Sequence, residues 1–219
     1  MDQKLIMLLL QGIGETFYMV TVSTVVAYLL GIPLGVILYI TAEGGIKENK
    51  PVNVVLGFIV NVLRSVPFLI LLAAILPFTR LVVGTTIGST ASIVPLVVAA
   101  APFVARMVES SLKEVDTGVI EAAKAMGATN RQIITKVLLP EARPSLLIGM
   151  TIAFATILGY SAMAGFVGGG GLGAIAVNYG YYRYQTDIML ITVALLVLIV
   201  QIFQEGGLRL VRKIDRRTK

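Results

Sequence analysis

The chain has 219 residues, 57% of them hydrophobic and only 14% charged, with 18 Lys and Arg against 12 Asp and Glu for a formal net charge of +6. A soluble domain carries about a quarter charged residues, so this composition excludes a water-facing globule, and its apolar content excludes a disordered chain. The absence of Cys and His further excludes disulfides, thiolate or imidazole metal sites, His-activated nucleophiles and His proton relays.

In chain order, residues 1–11 read as an amphipathic lead-in. Asp2 and Lys4 precede the apolar run and no small-residue cleavage site follows, so a retained segment is expected rather than a secretory signal. A charge-free stretch over about 16–40 is the first membrane span. A polar loop follows with Glu43, Lys47, Glu48 and Lys50. The second span is expected over about 56–78, although Arg64-Ser65-Val66-Pro67 interrupts it. The third, about 88–107, contains Pro95 and Pro102, which kink but need not break a helix packed among neighbours. Hydropathy then drops over a loop of about 108–143 before the fourth span, about 146–167. Gly168–Gly173 forms a glycine-rich turn, and Tyr179–Tyr184 an aromatic patch, ahead of the last span, about 187–204. That span is rich in Leu, Ile and Val and is expected to face lipid. Residues 207–219 form a basic tail. Neither an internal repeat nor a soluble domain is evident, so 12–206 reads as one all-α integral membrane domain of five transmembrane helices.

Charge placement orients it. Of the 18 Lys and Arg, two lie in 41–51, six in 106–143 and six in 209–219, whereas Lys4, Arg80 and Arg183 fall on the other side and Arg64 falls within a span. The positive-inside rule puts the N-terminus outside and the C-terminus in the cytoplasm. The positive charge therefore encodes topology, and no nucleic-acid partner is expected.

The cytoplasmic loop is long for a helix connection, which points to a task of its own. Asp116 caps a first short helix carrying Val119, Ile120, Ala122, Ala123 and Met126, and Gly127 ends it as a left-handed cap. Thr129-x-x-Gln132 is a capping box that opens a second helix through Ile133, Ile134 and Val137 to Leu139-Pro140. A partly apolar helical elbow standing in the cytoplasm suits a helix-in-groove contact with a partner.

Glu121-Ala122-Ala123, then Gly127, then Val137-Leu138-Leu139-Pro140 resemble the EAA motif of bacterial ABC-importer permeases. Only Val137 departs from it, standing where the motif has Ile. Arg64–Phe68, Ala101–Glu109, Gly159–Met163 and Gly170–Gly173 extend the resemblance over nearly the whole chain to the permeases of methionine importers. The resemblance implies a type I ABC importer permease fold in the cytoplasmic (inner) membrane. It implies a second copy of the chain, two cytoplasmic ATP-binding-cassette subunits and an extracytoplasmic substrate-binding protein as partners, beside membrane lipid. It also implies that Glu121, Ala122, Ala123, Met126, Gly127, Val137, Leu139 and Pro140 couple the ATPase subunit to the spans. ATP and Mg are then bound by that subunit, with no cofactor, metal or catalytic residue on this chain and no enzyme activity of its own.

No Walker sequence occurs. Gly168, Gly170 and Gly173 have GxGxxG spacing but lie between two spans, where a close turn beneath the binding protein is expected, with Tyr179, Tyr181, Tyr182 and Tyr184 as anchors. Small residues at Gly31, Gly35, Gly149, Ala153, Ala155 and Gly159 suit close helix approach, either between copies or within one chain. Met163, among small residues, is a candidate gate at a two-fold axis or a plain core methionine. Arg64 either attracts a substrate carboxylate or acts as a scaffold, snorkelling to the cytoplasmic interface or holding carbonyls freed by Pro67, the scaffold reading being favoured. Tyr160 and Ser161 share this assignment to path or scaffold. A secondary transporter would need intramembrane carboxylates or repeated halves, and neither is seen. The expected function is ATP-driven methionine import by alternating access, the alternative being import of another amino acid or small organic solute.

Overall fold

The computed structural model describes residues 3–214, so the final residues of the basic tail, 215–219, and Met1 and Asp2 of the lead-in lie outside the described residues. Four helices are long and apolar enough to cross a membrane, and a fifth crossing is made by a bent pair. All spans run further than hydropathy alone indicates or are shifted by a few residues, and each extension has a local cause.

Helix α1 runs from Gln3 to Thr41 without interruption, so the lead-in and first span are one element. At 1.5 Å per residue its 39 residues reach about 58 Å, nearly twice the hydrocarbon thickness. Its outer turns are held by a small apolar cluster in which Leu9 packs with Leu172, Ile175 and Ile188. Further in, α1 buries a stripe at helical spacing, Gly12, Thr16, Met19, Val20, Ser23, Ala27, Gly31, Gly35 and Leu38. Gly12 and Thr16 in it meet Leu172, and Gly31 and Gly35 lie against α5 (Ser89–Lys113), which with α1 makes the most extensive helix pair among the described residues. Glycine makes this approach possible. A Cβ on Gly31 would sit 2.5 Å from Val104 Cγ1, and one on Gly35 2.5 Å from the Ala105 carbonyl oxygen.

The second span differs most from expectation. Helix α2 covers Lys50–Ser65 and ends where Val66 turns extended, the conformation favoured before a proline. Helix α3 (Phe68–Ala74) leaves at 101° to it, and α4 (Leu76–Val83) continues to Gly84, whose left-handed φ of 81° ends the segment. The single helix expected over 56–78 is therefore a broken span. Pro67 is the reason, since it fixes its own φ and removes a backbone donor.

Helix α5 continues six residues past its expected end at 107. Arg106, Glu109 and Lys113 pair at i,i+3 and i,i+4 spacing, which supports a helix leaving the apolar layer. After the elbow, α9 (Arg143–Ala164) forms the fourth span. The glycine-rich turn proves to be partly helical: α10 (Gly171–Ile175) leads into a π-helical turn, Ala176–Tyr181, before α11 (Thr186–Ile214). Two unbonded N–H groups at the start of α10 find partners on α1, Gly171 N–H donating to Glu15 Oε2 at 2.7 Å and Leu172 N–H to Thr16 Oγ1 at 2.9 Å. A carboxylate there is favoured by the unpaired N–H groups of a helix start. Helix α11 is the least buried of the four unbroken spans, and the Glu205–Arg209 pair lies on the stretch beyond its expected end at 204.

Candidate functional site

The cytoplasmic elbow is built from its caps. Asp116 Oδ1 accepts from Gly118 N–H at 2.7 Å to open α6 (Thr117–Ala125). At its end Gly127, with φ of 77°, turns the chain. Gly127 N–H donates to the Lys124 carbonyl at 2.9 Å and Ala128 N–H to that of Ala123 at 3.0 Å, a double closure that needs a left-handed residue at position 127. Thr129 and Gln132 then form a reciprocal capping box on α7 (Asn130–Gln132).

Beyond it the helix widens into a π turn, Ile133–Leu138, before α8 (Leu139–Glu141). Leu139 N–H donates to the carbonyl of Ile134, five residues back. Pro140 follows, without an N–H and with a ring that would strike the carbonyl four residues back in a regular helix, so the wider turn fits it.

The elbow divides the eight motif residues into two groups. Ala123 is 3% exposed and packs with Ile120, Ile133 and Leu138, while Val137 and Leu139 are half-buried against the same cluster and Pro140 is half-buried beside it. These hold the elbow together. Glu121, Ala122 and Gly127 are exposed, and Met126 is 81% exposed. Val119, Ala122 and Met126 fall at i, i+3 and i+7, so one apolar stripe of α6 faces away from the chain. The buried side of the elbow is continuous with the membrane core, since Ile120, Ala123, Ile133 and Leu138 belong to the same cluster as Val104, Val108 and Leu112 of α5 and Ala153 and Ile157 of α9. Close-packed side chains thus join the elbow to two spans.

Next to the elbow lies a polar latch that the sequence reading missed. Arg106 donates to Glu109 Oε2 at 2.6 Å, to Asn61 Oδ1 at 2.9 Å and to the Gly57 carbonyl at 3.1 Å, and Lys113 donates to Glu109 Oε1 at 2.7 Å. It ties α5 to α2. The i,i+3 and i,i+4 spacing of Arg106, Glu109 and Lys113 was a readable signal; the reach to α2 was not.

The remaining candidates separate by burial. Ser161 is buried and its hydroxyl donates to the Leu158 carbonyl at 2.8 Å. Tyr160 is half-buried and stacks on Phe68, with ring centroids 4.6 Å apart, which joins α9 to the broken span. Met163 is 42% exposed, and Gly159, one turn before it, has open space beside it. Ile152, Gly159 and Met163 form an outward face, whereas Gly31, Gly35 and Gly149 pack within the chain and Ala153 is buried in its core. Arg64 is exposed at the end of α2, without a hydrogen bond or ion pair among the described residues. It holds no carbonyl freed by Pro67. Fourteen residues of helix place it about 21 Å along α2 from Lys50. On the outer side Tyr181, Tyr182 and Tyr184 are exposed, while Tyr179 lies under Arg183, whose guanidinium carbon is 4.5 Å from the ring centre. No cluster of three or more acidic, His or Cys residues suited to a metal occurs among the described residues.

Residues 31–218 match the family described as binding-protein-dependent transport system inner membrane component. The chain is 56% identical to a probable D-methionine transport system permease protein of Vibrio cholerae over 96% of this chain and 93% of that one. It is 52% identical to the D-methionine transport system permease protein of Escherichia coli K12 over 75% and 76% of the two chains. It superposes with a TM-score of 0.97, at 50% identity, on a chain of the inward-facing MetNI methionine ABC transporter, covering 99% of this chain and 100% of that one. A chain of an amino acid ABC transporter shares the fold at a TM-score of 0.79 and 21% identity, over 96% and 95% of the two chains.

Proposed function

The chain belongs to the family of binding-protein-dependent transport system inner membrane components, and from that membership we propose that it is the membrane-spanning permease of a methionine importer in the inner membrane. Two copies line one pathway, and two ATP-binding-cassette subunits in the cytoplasm bind ATP and Mg and carry out hydrolysis. A binding protein outside delivers methionine. The observation that carries this reading is the elbow, which exposes the apolar stripe Val119, Ala122 and Met126 on one side and joins the membrane core on the other.

The mechanism follows from that continuity. When the ATPase subunits close on ATP, the groove that receives α6 moves, and the elbow transmits the displacement to α5 and α9. The latch through Arg106 carries α2 with α5. The spans then open outward beneath the binding protein, whose contact is the exposed tyrosine group at 181, 182 and 184. Hydrolysis relaxes the closed ATPase pair and returns the pathway to face inward. The outward face at Ile152, Gly159 and Met163 meets its counterpart in the second copy, with Met163 closing the path. Arg64, exposed at the helix break and without an ion pair among the described residues, attracts the substrate carboxylate as methionine passes.

The elbow is tested with Met126→Glu. The side chain already faces outward, so the permease still folds, while a buried unpaired carboxylate weakens docking in an apolar groove by about 2 kcal/mol or more. Reduced copurification of the ATPase subunit, or ATP hydrolysis no longer stimulated by the loaded binding protein, is expected. Normal copurification together with normal methionine uptake contradicts the assignment.

A further inference from the structure

Beyond the break at Pro67, where α4 meets α5, lies a small cavity of about 10 Å³. Leu72, Thr79, Ala91, Ser92, Pro95 and Gly169 form its buried walls. Although it sits among apolar spans, three of these residues bring polar groups to it.

Thr79 is 1% exposed, and its hydroxyl has no partner within the chain. The other buried threonines behave differently. Thr16, Thr24, Thr41, Thr151 and Thr192 each donate to the carbonyl four residues back, the usual way for a helical hydroxyl to be satisfied away from water. Thr79 faces the cavity instead. A buried hydroxyl without a partner costs more than an ordinary hydrogen bond contributes, so this donor calls for an acceptor. Acceptors stand on α5. Pro95 has no N–H, which deprives the Ala91 carbonyl of its helical donor, and both residues line the cavity. Ser92 uses its proton on the Gly88 carbonyl at 3.1 Å, which leaves its oxygen free to accept.

One donor and two acceptors thus share a space large enough for a single small molecule. A buried water needs about 10–15 Å³ and typically makes about three hydrogen bonds. Water accepts once and donates twice, which matches the three groups.

We propose that one structural water occupies this cavity, accepting from the Thr79 hydroxyl and donating to the Ala91 carbonyl and Ser92 Oγ, and that it fastens α4 to α5. The Arg106 latch fastens α2 to the same helix. Both halves of the broken span, before and after Pro67, are then tied to α5 by polar contacts, so they move with it. The turn after α9 closes on the same point, since a Cβ on Gly169 would lie 2.8 Å from Ser92 Oγ. The site does not depend on what the chain transports.

The test combines a density map that resolves ordered waters with thermal unfolding of the full chain in detergent. Wild type is expected to show one peak within hydrogen-bond distance of Thr79 Oγ1, the Ala91 carbonyl oxygen and Ser92 Oγ, and Thr79→Val, of the same shape without the hydroxyl, to lack it. Because a bonded hydroxyl is lost, Thr79→Val should lower Tm by about 2–4 °C. A dry, unbonded hydroxyl gives the opposite sign, since removing it relieves a buried polar group, and a raised Tm overturns the proposal. Ser92→Ala should also lower Tm, and the double variant should fall by less than the sum of the two, because both act through one water. Additive losses overturn the proposal, as does a wild-type map without the peak. A Tm that rises with sodium but not with potassium assigns the cavity to a cation and overturns it too. Where a variant fails to fold, the wild-type map decides.

Discussion

Removing Glu109 orphans a cation between two spans. Its side chain is 8% exposed, that of Arg106 25% and that of Lys113 58%. Taking one partner from a fully buried ion pair costs about 3–5 kcal/mol. Arg106 retains Asn61 and the Gly57 carbonyl and is a quarter exposed, so about 2 kcal/mol is expected for Glu109→Ala. Lys113 is more than half in solvent, and Lys113→Ala should cost no more than about 0.5 kcal/mol. For a chain of this size 1 kcal/mol shifts Tm by about 2–4 °C, so thermal unfolding of the detergent-purified protein, followed by helical circular dichroism, should show a drop of about 4–8 °C for Glu109→Ala and about 1–2 °C for Lys113→Ala. The double variant R106M/E109M removes both charges and should regain much of the loss, because what destabilises is the unpaired guanidinium and not the missing bond. Equal shifts for the two single variants refute the reasoning, as does a double variant less stable than Glu109→Ala.

Glycine substitutions in α1 should have opposite signs. Gly35→Ala puts a Cβ 2.5 Å from the Ala105 carbonyl oxygen, and overpacking of about 1–3 kcal/mol exceeds the gain of roughly 1 kcal/mol in helix propensity. Gly14→Ala meets nothing within 4 Å and should raise Tm; effects of the same sign would show that the α1–α5 contact is not as close as described. Met163→Ala should increase passive methionine leak from proteoliposomes without ATP, and an unchanged leak removes the gate.

Much of this architecture is written in local patterns. Long apolar runs give the spans, and the asymmetry of Lys and Arg gives their direction. The elbow is legible in detail because its signals are short-range: Asp116, Gly127 and the Thr129–Gln132 box all act within four residues. The broken span had its signal too, since Val66 before Pro67 disfavours a helix, but strong hydropathy on both sides masks it. Helix α10 was not legible, because a glycine-rich stretch reads as a turn and its partners Glu15 and Thr16 lie 156 residues away.

Within the candidate site, spacing finds the motif without saying which way each residue faces. Ala123 lies in α6 and Met126 directly follows it, yet one closes the elbow and the other faces away, a division made by the packing of Ile133 and Leu138. The small residues show the same limit. Gly35 and Gly159 look alike in sequence, but only the structure distinguishes a glycine against a carbonyl from one beside open space.

The central claim is that this chain carries methionine through the membrane while a partner supplies the ATP chemistry. Uptake of labelled methionine into proteoliposomes tests it most directly, with the permease and ATPase subunits in the bilayer, loaded binding protein outside and ATP inside. The account predicts accumulation that requires ATP and the ATPase subunit, is lost in Met126→Glu, and is accompanied by no hydrolysis from the permease alone. Methionine uptake driven by an ion gradient without ATP, or ATP hydrolysis stimulated by the loaded binding protein without methionine entering, would contradict it.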